Sequence, residues 1–170
     1  METYLLQQLS PLPVTSEAFR PFGQVVAAQE DGNPFSEADA DLSLQGGTPR
    51  FYIMRLHDRG LKFHKITRHL QCTQCLGALE GKEWLLGVAP PGKAPAPNWE
   101  EIQVFRIPGS CFIKLEAGTW HAGPYFESAR FESGTVDFYN LELSDTNVVD
   151  HDTCNLLEQY GVEFEILPTA

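Results

Sequence analysis

The chain has 170 residues, 42% of them hydrophobic, and a formal net charge of −11 at pH 7. That length suits one domain, expected to span residues 1–170, with about two-thirds of the unfolded surface buried on folding. The acidic balance repels phosphate backbones and anionic lipid, which excludes nucleic acid and membrane as expected partners, and the apolar fraction argues against disorder.

The first residues lack the basic start and apolar run of a signal peptide, and no stretch approaches the ~20 apolar residues of a membrane span. A cytoplasmic protein is expected. Its cysteines, Cys72, Cys75, Cys111 and Cys154, should then be reduced. Cys72-x-x-Cys75 has no second pair at zinc spacing and no helix start after it, so burial in a strand is the plain reading.

Residues 16–23 read as a short helical turn opened by Thr15 or Ser16 and stopped by Pro21 and Gly23, with a strand over 24–28. Residues 29–49 place Glu30, Asp31, Glu37, Asp39 and Asp41 among Gly, Pro and Ser without periodicity: a solvated acidic loop or a partial lid. A strand over 51–56 ends at Asp58-Arg59-Gly60. Strands over 73–79 and 84–89 flank the turn Glu80-Gly81-Lys82 and read as a hairpin; the Pro-rich run 90–97 is a loop. Further strands are predicted over 102–107, 110–115, 135–143 and 162–166, and a helical turn over 155–160. Short strands between Gly and Pro turns, with almost no helical period, predict an all-β sandwich or barrel.

Two stretches carry groups able to do chemistry. In Glu116-Ala117-Gly118-Thr119-Trp120-His121 a strand and a Gly turn lead to a histidine, which that placement predicts to be accessible rather than deeply packed. In His64-Lys65-Ile66-Thr67-Arg68-His69, followed by Gln74, four basic or imidazole side chains fall within six residues of an acidic protein. Arg68 and Lys65 suit a small carboxylate, and His64 and His69 suit proton transfer near neutral pH. His69 and His121 as neutral imidazoles, with the Gln74 oxygen, suit a metal. Strand alternation puts His64 and Arg68 on one face and His69 on the other, so they meet only through a bend or bulge near 66–72; otherwise the cluster is a solvated basic loop. Trp120 is placed as a wall beside His121, and Asp137 either orients a histidine or is a capped or solvated strand residue. Trp84, Trp99, Tyr125, Phe126 and Phe131 read as core. The run Asp145, Asp150, His151 and Asp152 reads as solvated.

Gln74 through Leu79-Glu80-Gly81 resembles the close of the first cupin motif, with His69 at its second histidine, Gln74 at its glutamate and Thr67 at its first histidine. Glu116 to His121 resembles the second cupin motif, Glu116 replacing proline. More specifically, residues 16–26, His64-x-x-x-Arg68-His69 with Gln74, Trp120-His121 and Asp137-Phe138 resemble, in order and spacing, segments of the ureidoglycolate lyase (ureidoglycolate hydrolase) family, over about residues 14–145. The chain departs from that family's pattern at Lys65, where a glutamate is usual, and at Ala122-Gly123, where Trp-His is commonly followed by His-Pro.

The resemblance implies a cupin-like double-stranded β-barrel (jelly roll) and cleavage of ureidoglycolate, a small carboxylate, to glyoxylate and urea by acid–base catalysis. It implies Arg68 on the carboxylate, His121 as base and His69 or His64 as acid, with Lys65, Gln74, Trp120 and Asp137 about the substrate. No cofactor is required; a divalent metal, if used, would sit on His69, Gln74 and His121. Pairing into a homodimer is implied as well. The alternatives are a non-catalytic cupin binding another small carboxylate or sugar acid, and a metal-dependent cupin enzyme such as an isomerase or dioxygenase.

Overall fold

The computed structural model describes residues 3–169. In chain order, β1 (Leu5–Leu9) and β2 (Leu12–Pro13) precede α1 (Ser16–Phe19), capped by the Thr15 hydroxyl accepting from Ala18 N, and β3 (Gly23–Ala27). After the acidic segment, which is largely exposed and holds no strand or helix, come β4 (Pro49–His57), β5 (Lys62–Phe63), β6 (Lys65–Arg68), β7 (Gln74–Ala78) and β8 (Trp84–Ala89). β9 (Gln103–Ile107), β10 (Cys111–Leu115), β11 (Trp120–Tyr125) and β12 (Thr135–Leu143) follow. α2 (Thr146–Val149), β13 (Asp152–Asn155), α3 (Leu156–Tyr160) and β14 (Val162–Ile166) come last.

The protein is mostly β. The strands form a five-stranded sheet (β3-β10-β7-β12-β4), a six-stranded sheet (β13-β6-β11-β8-β9-β2) and a three-stranded sheet (β1-β14-β5). None of the three closes on itself.

Leu76, Ala78, Ile113 and Phe138 of the five-stranded sheet pack against Trp84, Leu86, Val88 and Phe105 of the six-stranded sheet. The opposite face of the six-stranded sheet, through Ile66, Leu85, Ala89 and Trp120, packs on Phe63, Val162, Phe164 and Ile166 of the three-stranded sheet. The six-stranded sheet is therefore the middle layer. Covered on both faces, its strand β8 is buried at every residue, which is why Trp84-Leu85-Leu86-Gly87-Val88-Ala89 is a continuous apolar run rather than an alternating one.

The expected hairpin of β7 and β8 does not form. β7 pairs with β10 and β12, whereas β8 pairs with β9 and β11 in the other sheet. Glu80 (φ 60°) and Gly81 (φ 67°) both take left-handed backbone, and the turn they make carries the chain across the core instead of back along the same sheet.

Candidate functional site

Alternation along two neighbouring strands decides which side chains meet. β6 and β11 pair with Thr67 opposite His121. On the face toward the five-stranded sheet lie Lys65, Thr67 and His69 of this segment and His121 of β11, and all four line one cavity of about 480 Å³. On the other face lie Ile66 and Trp120, packed in the second core, with Arg68 over the Trp120 ring at 4.3 Å. A bend after Arg68, rather than a bulge within the strand, carries the chain from β6 to β7 in the facing sheet. His69 and Gln74 thus reach the same cavity from two sheets.

The opposite wall comes from β4, β7 and β12. Along β12 the inward positions change from apolar to polar: Val136 and Phe138 belong to the core, while Asn140 and Glu142 line the cavity. β7 repeats the change, from Ala78 and Leu76 to Gln74. The Gln74 amide nitrogen donates to Asn140 Oδ1 (3.0 Å) and Glu142 Oε2 (3.3 Å). Tyr52 Oη and Asn147 Nδ2 donate to Glu142 Oε1, each at 3.4 Å. Gln74 Oε1, fully buried, has no partner.

The imidazoles gather at this end. The His69 ring centroid lies 5.1 Å from that of His121 and 5.7 Å from that of His151. His69 Nδ1 is 2.6 Å from the Asp150 carbonyl oxygen, which only accepts, so Nδ1 carries the proton. The turn that precedes His121 also ties down His69: Gly118 N donates to His69 O at 2.6 Å, from a left-handed conformation (φ 87°) that favours glycine. Burial, with the nearby His69 and then His151 adding to it against the pull of the Thr119 carbonyl, pushes His121 down to about 3. It is therefore a neutral imidazole at neutral pH. His121 is buried within β11, contrary to the accessible position just past a turn that its sequence context predicted. Desolvation between two sheets outweighs the exposure a turn would have given it.

The other predicted residues divide cleanly. His64 lines the cavity at its open side, with its Nδ1 3.7 Å from the Glu163 carboxylate. Arg68 does not line the cavity: its guanidinium donates to Asp152 Oδ2 (2.7 Å), Gly92 O (3.1 Å) and Ala94 O (3.0 Å). Trp120 lies beneath it, away from His121, because adjacent strand residues point to opposite faces. Asp137 is on the outer face of β12, held by Arg55 at 2.8 and 2.9 Å. The cationic side chains that do line the cavity are Arg59, Lys62 and Lys65.

Sequence reading missed Asn140, Glu142, His151 and the part played by Asp150. For the first two a signal was present, since they continue the inward row Val136, Phe138 at period two. Asp150 and Asp152 are not the solvated run they resembled. The buried Asp150 carboxylate accepts from Leu70 N and Gln71 N, each at 2.8 Å, and Asp152 holds Arg68. Among the described residues no group of three or more His, Cys, Asp or Glu is arranged to hold a metal ion.

The protein is a mostly β protein with a cavity between two sheets, walled by imidazoles on one side and by carboxylate and amide groups on the other, which offers hydrogen-bonding groups to a small polar molecule from both sides. The family model described as ureidoglycolate lyase matches residues 6–131, and the chain belongs to this family of lyases. It is 29% identical over 125 residues to ureidoglycolate lyase of Azotobacter vinelandii (strain DJ / ATCC BAA-1303), covering 66% of this chain and 74% of that protein. To the proteins of the same name from Pseudomonas putida (strain W619) and Burkholderia mallei (strain NCTC 10229) it is 30% and 28% identical, each over 128 residues, covering 64% and 68% of this chain and 71% and 74% of theirs. The match includes His64, Lys65, His69, Gln74 and His121, whereas Asn140, Glu142 and Asp150–Asp152 lie beyond it.

Proposed function

We propose that the protein cleaves ureidoglycolate to glyoxylate and urea, by proton transfer within the cavity. The observation that carries this reading is the convergence of His69, His121 and His151 on one cavity in a member of this family. In the reaction the hydroxyl O–H bond breaks, the C=O bond forms, the C–N bond breaks and the departing nitrogen gains a proton. The net proton movement is from oxygen to nitrogen. A pair of imidazoles suffices for that, one taking the proton from oxygen and the other passing it on to nitrogen.

His121, kept neutral by burial, is the acceptor facing the hydroxyl. His69, with Nδ1–H spent on the Asp150 carbonyl, has an unprotonated Nε2 that takes this proton from His121, across ring centroids 5.1 Å apart, and delivers it to the leaving nitrogen, so that both rings end neutral as they began. His64, at the open side, is the alternative donor. The carboxylate is assigned to Lys65, with Arg59 and Lys62 beside it, because the Arg68 donors are already engaged. The facing five- and six-stranded sheets are the arrangement a cupin-like barrel would provide, and the substrate is taken up from a soluble, cytoplasmic pool.

The donor set also fits a divalent metal: two imidazoles and the partnerless Gln74 Oε1 would hold it, and it would polarise the hydroxyl oxygen. Incubation of the purified protein with ureidoglycolate, following glyoxylate and urea, tests the reading. Formation of both above the spontaneous rate, abolished in His121→Ala, is expected; an unchanged rate in that variant overturns it.

A further inference from the structure

Carboxylates outnumber lysine and arginine in this chain by 23 to 12, so a cation left without an acidic partner is the exception. Two of the three that line the cavity are such exceptions. Among the described residues no carboxylate lies within ion-pairing distance of Arg59 or Lys65. The third, Lys62, has only Glu165 at 3.7 Å, and that carboxylate also accepts from Gln8 at 2.8 Å. Asp58, next to Arg59 in the chain, accepts from Gly60 N at 3.0 Å and from Ser128 instead.

Arg59 is nevertheless held in place. Its guanidinium donates to Pro124 O at 3.0 Å and lies over the Tyr125 ring, 4.9 Å from the centroid. Tyr125 stacks on Phe63 at 5.8 Å, and Phe63 on Phe164 at 5.1 Å, a column of buried rings in the second core. One bond to a carbonyl leaves most of the guanidinium donors free. A cation fixed on such a support loses little freedom when it takes up an anion.

The carboxylate of ureidoglycolate is bonded directly to the reacting carbon, which the lyase reading puts at His121. Lys65 is two residues from Thr67, the cross-strand partner of His121, and its long side chain reaches that position. Pro124, which anchors Arg59, stands three residues beyond His121 on β11, up to about 10 Å along the strand. One small carboxylate does not meet both cations, and a cavity of about 480 Å³ encloses ligands much larger than this substrate.

We propose that Arg59 and Lys62 form a second carboxylate subsite at the outer end of the cavity, so that a linear dicarboxylate bridging it to Lys65 binds in place of the substrate. The position of the first carboxylate rests on the lyase reading above; the cations without acidic partners do not.

Adipate and hexanoate make a matched pair, equal in chain length and differing by a carboxylate against a methyl group. Malonate and propanoate repeat the exchange in molecules too short to span the two subsites. Calorimetric titration of the wild-type protein at one ionic strength should show adipate bound at least about tenfold more tightly than hexanoate, as for hydrogen bonds between charged groups. Malonate should stay within about threefold of propanoate. Arg59→Met, which keeps an apolar stem on Tyr125, should bring adipate to within about threefold of hexanoate. Lys62→Met, at a position whose side chain is 52% exposed, should lower the ratio as well. Both variants are checked for a cooperative unfolding transition.

Equal affinities for adipate and hexanoate in the wild type overturn the proposal without recourse to a variant. So does a gain for malonate as large as that for adipate, which would report only the general attraction of a dianion, and so does a ratio that survives in the folded variants. Turnover of ureidoglycolate, measured with and without adipate, separates the two readings, and competitive inhibition is expected. Turnover without adipate selectivity overturns the subsite alone, and adipate selectivity without turnover overturns the lyase reading while supporting the subsite.

Discussion

His69 Nδ1 donates to the carbonyl oxygen of Asp150 at 2.6 Å, joining residues 81 positions apart. The bond sets the tautomer of the ring and leaves Nε2 toward the cavity. The same aspartate, through its carboxylate, holds the backbone of Leu70 and Gln71. One buried residue thus fixes both the orientation of the imidazole and the bend in which it sits.

Asp150→Ala should therefore cost about 2–3 kcal/mol of stability, from two buried N–H groups losing a charged acceptor. Because the bend that aims His69 relaxes with it, kcat should fall by at least about tenfold, while KM changes less. Urea unfolding combined with steady-state kinetics checks both.

Arg68 and Lys65 should part company on mutation. Arg68→Met removes bonds to Asp152 and two backbone carbonyls together with the stack on Trp120, and should lower stability by about 2 kcal/mol. The figure is below that of a wholly buried pair because Asp152 is 41% exposed. KM should stay near the wild-type value. Lys65→Ala should leave the unfolding midpoint unchanged and raise KM for ureidoglycolate about tenfold, the loss of one charged contact to the carboxylate. The reverse pattern would return the carboxylate to Arg68.

His121 should make the protein sensitive to acid. Its folded value of about 3 lies below the ~6.5 of an unfolded histidine, so between these values the unfolded chain binds more protons. Stability then rises with pH across that window and is lost as pH falls from about 6.5 toward 3. His121→Leu should flatten this limb of the stability profile, measured by unfolding at pH 7, 5.5 and 4. An NMR titration should find the ring neutral throughout that pH range.

Asp137 should prove dispensable. Its carboxylate, held low by the Arg55 hydrogen bond, lies on the outer face of β12 against a guanidinium that is 66% exposed. Asp137→Asn should leave kcat/KM and the unfolding midpoint within error, as expected for a surface ion pair. A drop in kcat/KM would mean that the outer face of this sheet reaches the chemistry.

Much of the framework was legible from the chain alone. The strands over 135–143 and 162–166 and the helical turn over 155–160 stand where their patterns place them, since β-branched and aromatic runs, an Asn155 cap and a Gly161 stop act locally. His69 and His121 could be singled out by the same kind of local pattern, a histidine at a strand end or after a Gly turn. The β7–β8 hairpin misled because a short connection says that two strands are close, not that they pair. Asn140 and Glu142 were readable in principle, as polar residues continuing the inward apolar row of β12, whereas Asp137 stands on the outer face of the same strand.

What the sequence by itself determined is the position of β3, β4, β7 to β10, β12 and β14, the alternation of faces within them, and where the histidines and basic side chains stand; β1, β2, β5, β11 and β13 carry too little local pattern to be read. What only the tertiary structure decided is which of those side chains share a cavity. Arg68 meets Asp152 84 positions away, and Gln74 meets Glu142 68 positions away. Both contacts depend on how sheets pair and stack, not on neighbours in the chain. Alternation gives each side chain one of two faces, and only the packing of the sheets determines which face encloses the cavity and which is buried against the third layer.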